Sequence, residues 1–127
     1  MRNLTVTLCL TLTVLLGSAR VSWGSDFQKG VAAFQSGDYA TALREWTPLA
    51  EQGYANAQFK LGLMYAQGTG IPVNGVYAYM WGNLGALNGN ENGGKLRDYL
   101  ATQMTPADIS TANKLARECV RKKYKGC

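Results

Sequence analysis

The chain has 127 residues, with 13 lysines and arginines against 8 acidic residues, no histidine and a formal net charge of +5. The missing histidine excludes histidine-based triads, most zinc sites and the commonest general base, and a chain of this length holds one small domain with a modest core. So small a charge does not mark a nucleic-acid binder, and neither a nucleic acid, a cofactor nor a metal is expected.

Met1, Arg2 and Asn3 supply a positive start, and Leu4 to Leu16 is an apolar run broken only by threonines and Cys9. Ser22 and Gly24 then place small residues before a cut between Gly24 and Ser25. This is the pattern of a secretory signal peptide over residues 1–24, with a cut after Ala19 as the lesser alternative. The run falls short of the roughly 20 apolar residues needed to span a bilayer. Cleavage leaves residues 25–127 as the domain and removes Arg2 and Arg20, which lowers the net charge from +5 to +3. The expected product is periplasmic or secreted, without stable membrane insertion.

Between Asp26 and Ser36, Phe27, Val31 and Phe34 recur at helical spacing, and Gly37 ends the segment. Asp38 is placed to cap the next helix, which carries Ala42, Leu43, Trp46, Leu49 and Ala50 and stops at Gly53. Pro48 inside it removes a backbone hydrogen bond and predicts a bend. From Tyr54 to Gly68, Ala57, Leu61, Tyr65 and Gly68 draw one stripe down a third helix. Gly68 to Pro72 is a loop of breakers. Gly68-Thr69-Gly70 lacks the lysine and the strand of a phosphate loop, so it reads as a turn. Asn74 can then cap a helix with Tyr77, Ala78, Trp81, Leu84 and Gly85.

Residues 91–103 and 105–124 are predicted as a closing helix pair. Thr105, Pro106 and Asp108 supply a cap, a first-position proline and an acid in the first turn. Ile109, Ala112, Leu115, Ala116, Cys119 and Val120 form the apolar face of the last helix. Loss of Cys9 on cleavage leaves Cys119 and Cys127, which export would pair as a disulfide. Eight residues of continuous helix would hold them about 12 Å apart along the axis, whereas a disulfide needs Cα atoms within roughly 7 Å. The helix must therefore stop before Cys127, and Gly126 is placed to turn the chain back. Arg121, Lys122, Lys123 and Lys125 make the tail basic.

The middle of the chain resembles itself at an offset of 36 residues, which lays Asp38 on Asn74, Ala42 on Ala78, Ala50 on Ala86, Gly53 on Gly89 and Asn56 on Asn92, with Trp46 and Trp81 one position out of register. Such a period marks stacked helical hairpins. Ala57, Leu61, Gly62, Tyr65, Gly68, Gly70 and Ile71, followed by Ala78, Trp81, Ala86 and Gly89, resemble the Sel1-like repeat, a relative of the tetratricopeptide repeat. The similarity covers about residues 54–89, and a partial earlier copy ends in Ala42, Trp46, Ala50 and Gly53. The resemblance implies an all-α fold, a short α-solenoid of antiparallel helical hairpins, working by protein–protein contact. It also implies that Ala78, Gly85 and Gly89 are small for close helix packing and that Tyr65 and Trp81 fill the gap between hairpins. The chain has about two units where arrays usually need three or more, so the terminal helices and the disulfide would compensate, or the chain would associate with itself.

Three functional classes are open. The first is an exported, non-enzymatic scaffold or adaptor that holds a protein or peptide partner. In the family's architecture the first helices of successive hairpins line the concave side, which puts Asn56, Lys60, Leu63 and Gln67 in a partner groove. A shift of 32 residues lays Phe59, Gly62 and Gln67 on Phe27, Gly30 and Gln35, so Gln28, Val31 and Gln35 continue it. The second class is penicillin-binding or weak β-lactamase activity, as in cysteine-rich Sel1-like proteins whose repeats carry two cysteines at the spacing of Cys119 and Cys127. That spacing occurs once here, at the terminus, and no catalytic residue is assigned. The third is docking of the basic tail on an anionic envelope surface. Asp38 and Asp108 sit at helix starts and Glu45 and Glu51 on an amphipathic helix, where caps and solvated faces need them. The seven tyrosines and three tryptophans invite a carbohydrate platform, but their repeat spacing makes them core.

Overall fold

The structure, a computed structural model, describes residues 24–127, and the expected signal peptide, with Cys9, lies outside the described residues except for Gly24. The described chain is all-α, built of α1 (Phe27–Gln35), α2 (Tyr39–Glu51), α3 (Ala55–Gln67), α4 (Gly75–Leu87), α5 (Glu91–Ala101) and α6 (Pro106–Arg121). Each helix packs on its neighbour through α5, and α4 also supports α6, so the helices stack as a short solenoid. Among the described residues no helix is long and apolar enough to cross a membrane.

Local chemistry sets most boundaries. The carboxylate of Asp26 accepts the Gln28 and Lys29 amides at 2.9 and 3.2 Å. Asp38 accepts from Thr41 N, Asn74 from Tyr77 N, Asn90 from Gly93 N and Thr105 from Asp108 N, all at 3.0–3.1 Å. Each bond satisfies an amide that the first turn leaves without an intrahelical acceptor. Gly68 closes α3 in the left-handed conformation, φ 69°, which glycine adopts without steric cost. Pro48 lies inside α2, which continues past it to Glu51.

The core runs through the stack from Ala42, Trp46 and Ala50 on α2, by Ala57, Leu61 and Met64 on α3 and Met80, Trp81 and Leu84 on α4, to Ala116 and Cys119 on α6. A second group, Ala78, Tyr79, Leu100 and Ala112, lies between α4, α5 and α6. Helix α4 buries Ala78 through Gly82, Leu84 and Gly85, because it is covered by α3, α5 and α6. A Cβ at Gly62 would stand 3.1 Å from the Gly82 nitrogen and 3.2 Å from the Ala78 carbonyl oxygen. Backbones approach that closely only where one side chain is missing.

Four expectations need correction. Helix α6 ends at Arg121, with Lys122 as its cap, three residues before the predicted Tyr124. Val120 is 46% exposed instead of buried on the apolar face. Gly89 has nothing within 4 Å of an added Cβ and stands at φ 107°, so it serves the turn after α4, where positive φ is required, and not helix packing. Tyr65 is only half-buried and stacks on Tyr77 at 5.4 Å between ring centroids, while Trp81 is buried at 3% exposure.

Candidate functional site: the α1–α3 face and the closed tail

Trp46 organises the face on which the groove residues were expected. Its ring lies between Phe27 and Phe34, with centroids 5.9 and 5.7 Å away, and its indole N–H donates to the Phe27 carbonyl at 3.1 Å. Gly30 is the one buried residue of α1, because a Cβ there would run into the Trp46 indole. Glu45, one residue before Trp46, accepts the Asp26 amide at 2.8 Å and faces Lys29 at 3.5 Å. The hydrogen bond from Asp26, and secondarily the Lys29 charge, hold the Glu45 carboxyl below the usual glutamate range. One cap and one ion pair thus tie the start of α1 to the middle of α2.

Gln28 and Gln35 on α1 are exposed, whereas Val31 is half-buried against the core. On α3, Asn56 and Gln67 are exposed and Lys60 and Leu63 are half-buried. The Lys60 ammonium sits 5.8 Å from the centroid of the Trp46 ring and 5.9 Å from that of Phe59. Lys60 therefore covers the tryptophan that α1 packs on, and such a contact contributes about 0.5–1 kcal/mol at an exposed site. Asn56 is engaged across the stack, since its Oδ1 accepts from Asn90 Nδ2 at 2.8 Å.

The tail forms a closed loop. Cys119 and Cys127 are at disulfide distance, with Cα atoms 5.7 Å apart. The chain reverses at Lys123 and Tyr124, whose φ values of 54° and 66° are left-handed, before Gly126 at 71°. Two such residues carry a conformational cost that glycine would avoid. Tyr124 offsets it: its amide donates to the Cys119 carbonyl at 2.8 Å, its hydroxyl donates to Asn88 Oδ1 at 3.3 Å, and its ring lies where a Cβ on Gly53 would come within 3.1 Å. Arg121 faces Glu118 at 4.0 Å, and Lys122, Lys123 and Lys125 are exposed.

Sequence reasoning missed the polar link beneath this loop. Gln58 is fully buried, donates to the Ala50 carbonyl at 3.1 Å and accepts from Asn88 Nδ2 at 2.9 Å. It joins the end of α2, the start of α3, the cap of α4 and, through Asn88, the tail. A glutamine beside the Ala57 stripe is the only local signal of it. Closing the loop, with a sequence separation of 8, contributes about 2.5 kcal/mol in the chain-entropy model. Reduction is expected to lower stability by up to about that amount and to release Tyr124 without dismantling α1 to α4, which contain no cysteine. Urea unfolding of oxidised and reduced protein checks this; coincident curves would remove the loop from the stability of the fold.

Among the described residues no three histidines, cysteines or acids come together as metal ligands. No protein-family model and no curated protein matches the chain.

Proposed function

We propose that the protein is an exported helical-repeat adaptor, related to Sel1-like repeats, that holds a protein or peptide partner. The stacked helices support this reading, since a solenoid exposes long faces while burying its core between neighbours. The observation that carries it is the α1–α3 face, where Gln28, Gln35, Asn56 and Gln67 are exposed around the half-buried Lys60 and Leu63.

The test is crosslinking in the native envelope, followed by identification of what the parent captures and a Lys60→Glu, Leu63→Ala variant does not. The variant is expected to lose capture. Because Lys60 covers Trp46, the Lys60→Glu change is also expected to cost about 0.5–1 kcal/mol of stability. Undiminished capture by the folded variant would move the contact to another face. A second reading is favoured by the tail, whose exposed lysines Lys122, Lys123 and Lys125 lie in a closed loop that Tyr124 fixes against Gly53 and Asn88. It would dock on an anionic surface, and vesicles with and without anionic lipid, tested against the chain truncated after Arg121, separate this from the adaptor reading.

A further inference from the structure

Leu87 is 67% exposed and Val120 46%, and the two face one another across a cleft between α4 and α6. The other lining residues are Asn83 on α4 and Asn113, Ala116 and Arg117 on α6. Asn83 and Leu87 are one helical turn apart, and Asn113, Ala116, Arg117 and Val120 make one stripe down α6. The hollow between them measures about 310 Å³, at the small end of ligand sites, which span roughly 300–1,000 Å³.

The polar groups of the cleft are mostly donors. Asn83 Oδ1 is occupied by Arg97 at 3.0 Å, which leaves its amide hydrogens to give. Among the described residues Arg117 has no ion-pair partner, its neighbour Glu118 being paired with Arg121. An aliphatic floor beside an unpaired guanidinium and two amides asks for a ligand with an aliphatic group, a carboxylate and a peptide-like group. A plain fatty acid would lay an alkyl chain against Asn83 and Asn113, and desolvating amides without a partner is unfavourable. A broad anionic surface would reach Arg117 but leave Leu87 and Val120 uncovered.

The geometry points to a binding site for the carboxy-terminal end of a partner polypeptide whose last residue is aliphatic. Its carboxylate pairs with Arg117, its last side chain packs among Leu87, Ala116 and Val120, and its last peptide group meets Asn83 and Asn113. A guanidinium recognises a carboxylate through two parallel hydrogen bonds. This site lies apart from the α1–α3 face and does not need that face to bind anything.

Fluorescence anisotropy of the full chain with a labelled Gly-Ser-Gly-Ala-Leu peptide tests it. The free-acid peptide is expected to bind, and its amidated form about tenfold or more weaker, the usual scale for loss of a charged hydrogen bond. Arg117→Gln is expected to weaken the free acid about as much and to leave the amide unchanged. Leu87→Ser should weaken both peptides, and since both side chains are exposed the variants should melt like the parent. The variant Lys60→Glu, Leu63→Ala should bind the peptide like the parent, which separates failure here from failure of the adaptor face. Equal binding of acid and amide, full binding by Arg117→Gln, displacement by octanoate as effective as by unlabelled peptide, or no binding would each overturn the site.

Discussion

Trp46→Ala is expected to destabilise the protein by about 3–5 kcal/mol, the range for truncating a large buried aromatic residue. Trp46 is 1% exposed, and α1 buries nothing fully except the glycine that receives its ring. Truncation leaves a cavity beside Phe27 and Phe34 and removes the donor to the Phe27 carbonyl. It also takes from Lys60 the ring that it covers. Domain stabilities are typically only about 5–15 kcal/mol, so this one change would consume a large part of the total. The loss should be uneven. Helix α1 rests chiefly on α2, so its amides should lose protection from hydrogen exchange before those of α3 and α4. Urea unfolding measures the total and exchange the distribution. A variant with the parent's midpoint and a protected α1 would show that Phe27, Phe34 and the Glu45 contacts suffice to dock the first helix.

What could be read from the sequence was what acts over a few residues. Asp38, Asn74 and Thr105 cap their helices as expected, because a cap is a bond to an amide two or three positions away. Gly68 ends α3 for an equally local reason. The pairing of Cys119 with Cys127 rested on the expected loss of Cys9 and expected export, and bond geometry required only that α6 stop before Cys127; it ends at Arg121 because Lys123 and Tyr124 make the reversal before Gly126 does. The rest depends on residues distant in the chain. Periodicity could set Gly30 beside Gly62 as corresponding positions, but it could not show that one receives the Trp46 indole and the other the backbone of α4. The sequence sets Lys60 in the expected partner groove beside the α3 stripe, and its position over Trp46 needs α2 and α3 in place. Gln58 likewise acquires its partners only when Ala50 and Asn88 converge on it. Val120 was counted into the apolar face by its spacing, yet α4 does not cover it, and the cleft beside Leu87 results.

The sharpest expected contrast is between two adjacent glycines of α5. A Cβ at Gly93 would stand 2.6 Å from the Gly82 carbonyl oxygen and 3.0 Å from the Ala86 nitrogen. Both obstacles are backbone atoms, which cannot turn aside as a flexible side chain can. At Gly94 the nearest atoms are Ala86 Cβ and Arg97 Nη2, each 3.6 Å away, which is ordinary contact. Gly94→Ala is therefore expected to stabilise by about 0.5–1 kcal/mol, because alanine loses less backbone freedom than glycine on entering a helix. Gly93→Ala offers the same gain in helix propensity. It must also push α5 away from α4, at an overpacking cost of typically about 1–3 kcal/mol and occasionally more. A net loss is expected, and its consequences reach beyond α5. Helix α4 is covered by α3, α5 and α6, so a displaced α5 disturbs the packing of Tyr79 and Leu100, both 8% exposed, and of Leu96 beside Gly62 and Gly82. Paired thermal and urea unfolding of the two variants tests the contact, with opposite signs expected from neighbouring positions. If both alanines stabilise, α4 and α5 can separate at no cost, and the close backbone approach is not what holds the second half of the stack together.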